Sequence, residues 1–242
     1  MIIGFFDSGL GGLSVLKELI SEYPNNEYIY FGDTINLPYG NKSKKQLLTF
    51  VDKIIKFFKD EEVDLIIVAC GTSSSNIYFD IKDKYHVPII DILSPTINYL
   101  LSCNNKKIGV MGTEMLIKSK YFDKYLKNKE VVSVKAPKLV PLIEKGEINS
   151  LEMQTTLKEY LKVFDENMIL VLGCTHYPLL AEKILKIKKL KLIDMGKVLS
   201  KHINLTNKGQ FKIKLYFSKV DATLLKNVKQ IFNDCKLYEK KL

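Results

Sequence analysis

The chain has 242 residues, 26% of them charged, and its formal net charge of +10 comes from lysine, because the sequence contains no arginine. This length accommodates one large domain or two smaller domains of about 100–120 residues each. No apolar run approaches the ~20 residues that a membrane-spanning helix needs, and the first residues lack the features of a signal peptide. We therefore expect a cytoplasmic globular protein that has no membrane partner.

The lysine excess bears on the choice of partner. The lysines are scattered along amphipathic segments, and arginine, the usual residue for bidentate contacts with bases and phosphates, is missing. We expect a solvated lysine surface and no nucleic-acid partner, although a binding role for this surface is an alternative to enzymatic activity. The positive charge also favours the approach of acidic small molecules.

Strand-like and helix-like segments alternate along the N-terminal part of the chain. Short apolar runs predict strands at 2–6, 28–31, 65–69 and 88–92. Helical spacing predicts helices at 13–23, 43–59, 74–85 and from Ser94, where Ser94-Pro95 is typical of an N-cap followed by proline. This alternation predicts an α/β fold whose sheet is mainly parallel and is flanked by helices.

The pattern restarts after about Leu101, and residues 107–113 resemble residues 2–8. Asp7 and Cys70 are 63 positions apart, and Thr113 and Cys174 are 61 positions apart. We therefore predict two similar halves, with a first domain of 1–96 plus 206–242 and a second domain of 97–205. The closing segments at 211–217 and 222–232 fit either half and are assigned to the first. Ordinary repetition of strand–turn–helix units is the alternative explanation.

Two cysteines have matching surroundings. Cys70 and Cys174 each follow an apolar run and precede a threonine within two residues. Ligands of open α/β sheets bind outside the carboxyl ends of the strands, so two such thiols can face one substrate from opposite sides. The four cysteines show no C-x-x-C spacing and make no cluster with the three histidines, so no metal site is predicted.

Three further segments carry polar groups at predicted strand ends. The turn Asp7-Ser8-Gly9-Leu10-Gly11-Gly12 indicates a carboxylate or phosphate site, or simply a tight turn. Asp7 would repel an anion, so we assign it to proton handling or to orienting a neighbour. Hydroxyls at 70–76 either cap a helix through Thr72 or Ser74 or cradle a carboxylate. Cys174 and His176 are expected in contact, because residues i and i+2 share a face of a strand.

These segments, taken together with Pro38-Tyr39-Gly40, Cys70-x-Thr72 and Gly173-Cys174-Thr175-His176-Tyr177-Pro178, resemble the glutamate racemases. The segment 140–144 is similar as well, and the resemblance extends from about Ile2 to His202. It implies a two-domain α/β enzyme with its active site in the cleft between the domains. It further implies that glutamate is the substrate, that no cofactor is needed and that the D-glutamate formed serves peptidoglycan synthesis. It is also compatible with a homodimer.

The resemblance also implies roles for individual residues. Cys70 and Cys174 would be the acid/base catalysts, with Asp7 serving Cys70 and His176 serving Cys174. The positions implied to form the substrate pocket are Asp7, Ser8, Tyr39, Gly40, Gly71, Thr72, Thr113, Glu144, Thr175 and His176.

Racemisation removes the Cα proton from one face and returns a proton to the other, so two fixed groups in opposite protonation states are expected. Holding an ordinary cysteine as its thiolate at pH 7 costs about 2 kcal/mol. A nearby histidine or a helix N-terminus can meet that cost. Fixed N–H groups and hydroxyls around the substrate carboxylate would stabilise the carbanion.

Two departures from the family pattern bear on the substrate. Gly71 stands where the family has asparagine, and Leu116 stands where a second threonine is usual. Each lost hydrogen bond to a charged group costs about 1.5–3 kcal/mol. A racemase of aspartate or of another amino acid, or a decarboxylase using one thiol, is therefore the alternative enzyme.

Overall fold

The computed structural model describes residues 1–207, 209–233 and 235–242. Within these residues, the strands form two sheets in which every pair of neighbours runs parallel. The first sheet has the order β10-β9-β2-β1-β3-β4. Its strands are β1 (Ile2–Asp7), β2 (Glu27–Gly32), β3 (Leu65–Val68), β4 (Ile89–Asp91), β9 (Lys212–Phe217) and β10 (Leu237–Glu239).

The second sheet has the order β6-β5-β7-β8 among the described residues. Its strands are β5 (Lys107–Gly112), β6 (Glu130–Lys135), β7 (Ile169–Gly173) and β8 (Lys191–Asp194). Strand β5 lies inside this sheet, as β1 does in the first sheet. Beside β1 lies β3, which leads to Cys70, and beside β5 lies β7, which leads to Cys174. The expected α/β fold with two similar parallel sheets is confirmed.

Helices flank both sheets. Those associated with the N-terminal segments are α1 (Gly12–Glu22), α2 (Lys44–Asp60), α3 (Gly71–Ile81) and α4 (Leu93–Ser102). The remaining helices are α5 (Glu114–Lys118), α6 (Tyr121–Tyr125), α7 (Leu139–Glu144), α8 (Leu151–Leu161), α9 (Ala181–Ile187), α10 (Met195–His202) and α11 (Ala222–Ile231). Two 3₁₀ turns lie at Tyr39–Asn41 and Tyr177–Leu180.

The central strands are apolar throughout because both of their faces are covered. All four residues of β3 and all five residues of β7 are buried, which is typical of strands inside a parallel sheet. On β1, Gly4 leaves room for the Phe58 ring of α2, whose nearest atom would lie 3.1 Å from an added Cβ. This packing lets β1 lie close to α2, and Asp7 is the last residue of β1.

The two sheets share one hydrophobic core on the side of α1. Side chains of β1 and β5, represented by Phe5 and Val110, belong to the same buried cluster as Met195 and Leu199 of α10. The helix α10 packs against both α1 and α4. The two halves are therefore in extensive apolar contact beneath the ends of their sheets.

The C-terminal segments join the first sheet. Strand β9 pairs along the whole of β2, with Glu27 opposite Lys212 and Gly32 opposite Phe217. Strand β10 then pairs with β9. The division into 1–96 plus 206–242 and 97–205 remains a prediction in its boundaries.

Three local predictions are wrong at helix starts. Helix α3 begins at Gly71 rather than near Ser74, and Cys70 occupies its N-cap position. Neither Thr72 nor Ser74 caps it, because the Thr72 hydroxyl contacts Thr113 and the Ser74 hydroxyl donates to the Val68 carbonyl. Helix α3 therefore begins three residues earlier than the hydroxyl residues of the segment 70–76 indicated.

Helix α4 shows the same kind of difference. It begins at Leu93, before Ser94, and the Asp91 carboxylate accepts hydrogen bonds from the backbone N–H groups of Leu93 and Ser94. The predicted Ser94 N-cap is wrong because an acidic side chain at the end of β4 already satisfies those donors. Pro178 is the second residue of a 3₁₀ turn that begins at Tyr177, and α9 follows this turn.

Helix α2, which covers the first sheet, begins with a capping box. The Ser43 hydroxyl accepts from the Gln46 N–H, and the Gln46 side chain accepts from the Ser43 N–H. We expect Ser43→Ala to lower the free energy of unfolding by about 1 kcal/mol and the melting temperature by about 2–4 °C. The measurement is thermal unfolding followed by circular dichroism.

The matched control is Thr49→Ala, which removes an exposed hydroxyl from the interior of the same helix. This hydroxyl bonds a carbonyl that is already used within the helix, so the melting temperature should stay within about 1 °C or rise. Equal destabilisation by both substitutions would contradict the capping role of Ser43.

Candidate active site

The two sheets bring Cys70 and Cys174 to one place. Cys70 follows β3 by two residues and Cys174 follows β7 directly, and their exposed fractions are 4% and 6%. The adjoining backbones touch, since a Cβ on Gly71 would lie 3.0 Å from the Gly173 carbonyl oxygen. An asparagine at position 71 would need the two loops to move apart by a few tenths of an ångström. Glycine at position 71 thus lets the segment after Cys70 lie closer to the segment before Cys174 than a residue with a side chain would.

Cys174 begins a chain of polar contacts that leads toward solvent. Its Sγ lies 3.6 Å from Nδ1 of His176, and Nε2 of His176 lies 2.6 Å from Oε1 of Glu144. The same Glu144 oxygen accepts the Leu10 N–H at 3.1 Å. The His176 side chain is buried, whereas the Glu144 side chain is 17% exposed. The expected contact between Cys174 and His176 is present.

Charge balance around His176 favours its protonated form. Burial alone would lower the pKa of this imidazole. The hydrogen bonds of His176 with Cys174 and Glu144 raise the pKa, and so do the charges of these two groups. The pKa of His176 therefore lies well above its ordinary value. An imidazolium therefore stands between a sulfur atom and a carboxylate.

Asp7 lies on the other side of the site, at the end of β1. Its Oδ2 accepts the Gly12 N–H at 2.7 Å and the Thr175 hydroxyl at 3.1 Å. Its Oδ1 is buried and has no hydrogen-bond partner among the described residues. Burial raises the pKa of Asp7, although the positive charge of His176 and these hydrogen bonds lower it. The carboxyl group thus links the glycine turn to the second cysteine motif.

Cys70 has different electrostatic surroundings from those of Cys174. Burial raises the pKa of the Cys70 thiol to about 12, and the negative charges of Asp7 and Cys174 add to this rise. The N–H and the hydroxyl of Ser73 oppose it. A thiol with this pKa is protonated at neutral pH, so the cost of making a thiolate at Cys70 is greater than the value for an ordinary cysteine.

Hydroxyls from the two halves meet next to the thiols. The Thr72 and Thr113 hydroxyl oxygens are 2.9 Å apart, and Gly40 packs close to Thr113. The Tyr39 hydroxyl donates to Oδ2 of Asp33 at 2.7 Å. Its oxygen is therefore already engaged outside the thiol pair.

One small cavity collects nearly all the predicted site residues. Its volume is about 20 Å³, and the predicted site residues other than Glu144 all line it, together with Pro38, Val140 and Gly173. A cavity of about 10–15 Å³ on this measure holds one water molecule, so this space admits water and excludes an amino acid. A ligand the size of an amino acid therefore needs more space than this cavity provides.

Leu116 does not line this cavity. A Cβ on Gly112 or on Gly173 would lie 2.8 Å from its Cδ2 atom, so Leu116 packs over the ends of β5 and β7. Its side chain is buried in the shared core. The apolar residue at this position supports the strand ends and presents no polar group to the cavity.

Asp33, Tyr30 and Ser73 were not identified as site residues from the sequence. Asp33 holds the Tyr39 hydroxyl, and the Tyr30 hydroxyl donates to the Gly9 carbonyl oxygen at 2.6 Å. The place of Asp33 at the end of β2 was a signal for it, because carboxyl ends of parallel strands share one edge. Nothing in the local sequence marked Tyr30, which has the pattern of a core residue.

The described residues, which omit positions 208 and 234, contain no group of three or more histidine, cysteine, aspartate or glutamate side chains suited to a metal ion. In the same part of the chain, no helix is long and apolar enough to cross a membrane.

This arrangement defines a class of protein: an α/β enzyme with paired thiols at the facing ends of two parallel sheets. Residues 13–203 match the family model described as Asp/Glu/Hydantoin racemase. The chain belongs to this family.

Individual relatives agree with that assignment. A glutamate racemase of Aquifex aeolicus is 36% identical over 241 residues, covering 97% of this chain and 95% of the relative. One from Thermoanaerobacter sp. strain X514 is 41% identical over 201 residues, covering 79% of this chain and 75% of the relative. The crystal structure of glutamate racemase from Francisella tularensis with D-glutamate has a TM-score of 0.86 and 32% identity, covering 99% and 97% of the two chains.

The pairing of His176 with Glu144 generates a prediction about charge. We expect Glu144→Gln to lower the pKa of His176 toward the ordinary histidine value, because the amide is neutral and no longer stabilises the imidazolium. The measurement is an NMR pH titration of the His176 ring nitrogens.

Glu147→Gln is the matched control, since Glu147 lies three residues further along and is exposed. It should leave the His176 titration unchanged. A His176 pKa that is the same in Glu144→Gln and in the parent protein would contradict the ion pair.

Proposed function

We propose that this protein interconverts L- and D-glutamate by a two-base mechanism that uses Cys70 and Cys174. The observation that carries the proposal is the presence of two buried thiols in one cavity, one following β3 and the other following β7. Glutamate as the substrate is supported by the names of the similar proteins, and the lysine-rich surface suits an acidic substrate.

The unequal surroundings of the thiols assign their resting states. The positive charge of His176, whose Nδ1 lies 3.6 Å from Sγ of Cys174, stabilises negative charge on that sulfur. Cys70, with a pKa of about 12, keeps its proton. We therefore assign the first base to Cys174, which lies beside this positive charge, and the first acid to Cys70.

The reaction then proceeds in opposite senses for the two enantiomers. The Cys174 thiolate removes the Cα proton from one face of the substrate, and the Cys70 thiol delivers its proton to the other face. This leaves Cys70 as a thiolate, and the same groups act in reverse on the opposite enantiomer. His176 and Glu144 hold the charge on the Cys174 side throughout.

Asp7 acts on the Cys70 side. It lies beside Cys70, and its negative charge raises the pKa of that thiol. Its hydrogen bonds to Gly12 and Thr175 keep it at the junction of the two halves. We assign Asp7 to proton handling at Cys70, the role that the family resemblance implies.

The carbanion requires fixed donors around the substrate carboxylate. Hydroxyls of Ser8, Thr72, Thr113 and Thr175 border the cavity, and the first turn of α3 adds backbone N–H groups. In this structure, Thr72 and Thr113 bond each other. A bound carboxylate would replace this mutual contact with two hydrogen bonds of its own.

The small size of the cavity supports a division of the chain into two bodies. We propose that 1–96 plus 206–242 and 97–205 form two bodies whose separation admits substrate, because the cavity is too small for it. A supply of D-glutamate for peptidoglycan, cofactor independence and a homodimer remain predictions of the family resemblance. A cytoplasmic location remains a prediction from the composition and the first residues.

The proposed reaction is tested by incubating the protein with L-glutamate or D-glutamate in deuterated water. Chiral chromatography should show both reactions approaching equal amounts of the two enantiomers, and the product should carry deuterium at Cα. L- and D-aspartate, tested in parallel, address the alternative motivated by Gly71 and Leu116. Turnover of aspartate without turnover of glutamate would establish that alternative, and an absence of turnover of either would refute the racemase proposal.

Each thiol can be tested singly. We expect Cys70→Ala and Cys174→Ala each to lower kcat for racemisation by about 10²–10⁴-fold, the range for loss of a general acid or base. Steady-state assays in both directions measure the effect. Cys103→Ala is the control, because Cys103 is half-buried at the end of α4 and far along the chain from either motif. Near-parental turnover by either site variant would exclude the two-base mechanism.

A further inference from the structure

Ser73 is a buried hydroxyl residue that the proposed mechanism does not use. It is fully buried in the first turn of α3, and its Oγ has no nitrogen or oxygen partner within the described residues. The neighbouring hydroxyls are engaged: Thr72 contacts Thr113, and Ser74 donates to the Val68 carbonyl. A buried hydroxyl without such a partner needs a physical explanation.

The position of Cys70 supplies one. Cys70 is the N-cap residue of α3, in extended conformation, and Ser73 is the third residue of the helix. An N-cap side chain ordinarily accepts a hydrogen bond from the N–H of the third residue. No such bond is formed by the neutral thiol. Sulfur is a much better acceptor once it carries negative charge, and charge-assisted hydrogen bonds are about twice as strong as neutral ones.

Four acidic groups around Cys70 disfavour negative charge on it: Asp7 of β1, Tyr30 of β2, Tyr39 of the 3₁₀ turn and Cys174 after β7. The cationic His176 lines the same cavity, but its ring nitrogens contact Cys174 and Glu144. The N–H and hydroxyl of Ser73 are the groups that lower the pKa of Cys70. The N-terminal end of the α3 dipole acts in the same direction.

We propose that Ser73 is a positioning residue for Cys70: its hydroxyl donates a hydrogen bond to the Cys70 sulfur when that sulfur becomes a thiolate. This role rests on the proposed racemisation, in which Cys70 passes between thiol and thiolate. Ser73 does not line the cavity, so it acts through Cys70 and does not touch the substrate.

The first test reads Cys70 without any substrate. In a full-length protein with Cys103, Cys174 and Cys235 replaced by serine, the rate of Cys70 alkylation by iodoacetamide is followed by intact mass. Loss of a hydrogen bond to a charged group should raise the Cys70 pKa by about 1–2 units. A less acidic thiolate is also more nucleophilic, so Ser73→Ala should slow alkylation about three- to tenfold at pH 8.

Two variants separate this effect from general loosening of the helix. Ser74→Ala removes an equally buried hydroxyl from the same turn, and alkylation should then keep the parental rate. Ser73→Thr retains a hydroxyl and should restore most of the rate lost in Ser73→Ala. The proposal is overturned if Ser73→Ala alkylates at the parental rate, or if Ser74→Ala is slowed to the same extent.

The second test uses the protein with its native cysteines. Ser73→Ala should lower kcat for racemisation about tenfold and leave KM within about twofold, because the thiolate is destabilised and substrate contacts are intact. A raised KM with unchanged kcat would overturn the positioning role. If the parent protein racemises no amino acid, the proposed function fails, whereas the alkylation rates still decide whether Ser73 stabilises the Cys70 thiolate.

Discussion

The carboxyl ends of two parallel sheets face each other in this protein, and the arrangement of the site depends on that constraint. Every strand of a parallel sheet releases its chain at the same edge, so β1 and β3 deliver Asp7 and Cys70 together. The neighbouring strands β5 and β7 do the same for Thr113 and Cys174. The shared apolar core beneath the sheets holds these two edges against each other.

Similar folds place the thiols in unlike environments. Cys174 has an imidazolium beside it and a carboxylate beyond, which together form a route toward solvent. Cys70 has burial and acidic neighbours, which raise its pKa to about 12. One thiol therefore lies beside a positive charge, and the other lies among acidic groups in a buried environment.

The local sequence was sufficient to predict those site residues that lie at the ends of strands. The strand-end cysteines follow from the hydrophobic runs. The contact between Cys174 and His176 is present, but both residues lie beyond the end of β7, so the shared face of a strand is not its cause. Helix caps were harder, because Asp91 and Ser94 are both good capping residues and only the helix start decides between them. Adjacent polar residues make such starts ambiguous by a few positions.

The remaining features arise from contacts between distant segments. The pairing of Thr72 with Thr113 and the engagement of Tyr39 by Asp33 require the folded chain. The direction of the Cys70 pKa change depends on burial, and the cavity size depends on how closely Gly71 approaches Gly173. None of these quantities has a periodic signature, although Gly71 was visible as a departure from the family pattern.

The pairing of β9 with β2 has a consequence for how the protein is made. Until residues 212–217 have left the ribosome, β2 has an unpaired edge with apolar side chains, a surface on which strands of other chains can assemble. Tyr30 of β2 also holds the glycine turn through Gly9. The N-terminal segments that carry Asp7 and Cys70 thus complete their sheet only after residues 212–217 have been synthesised, more than 140 positions after the first thiol.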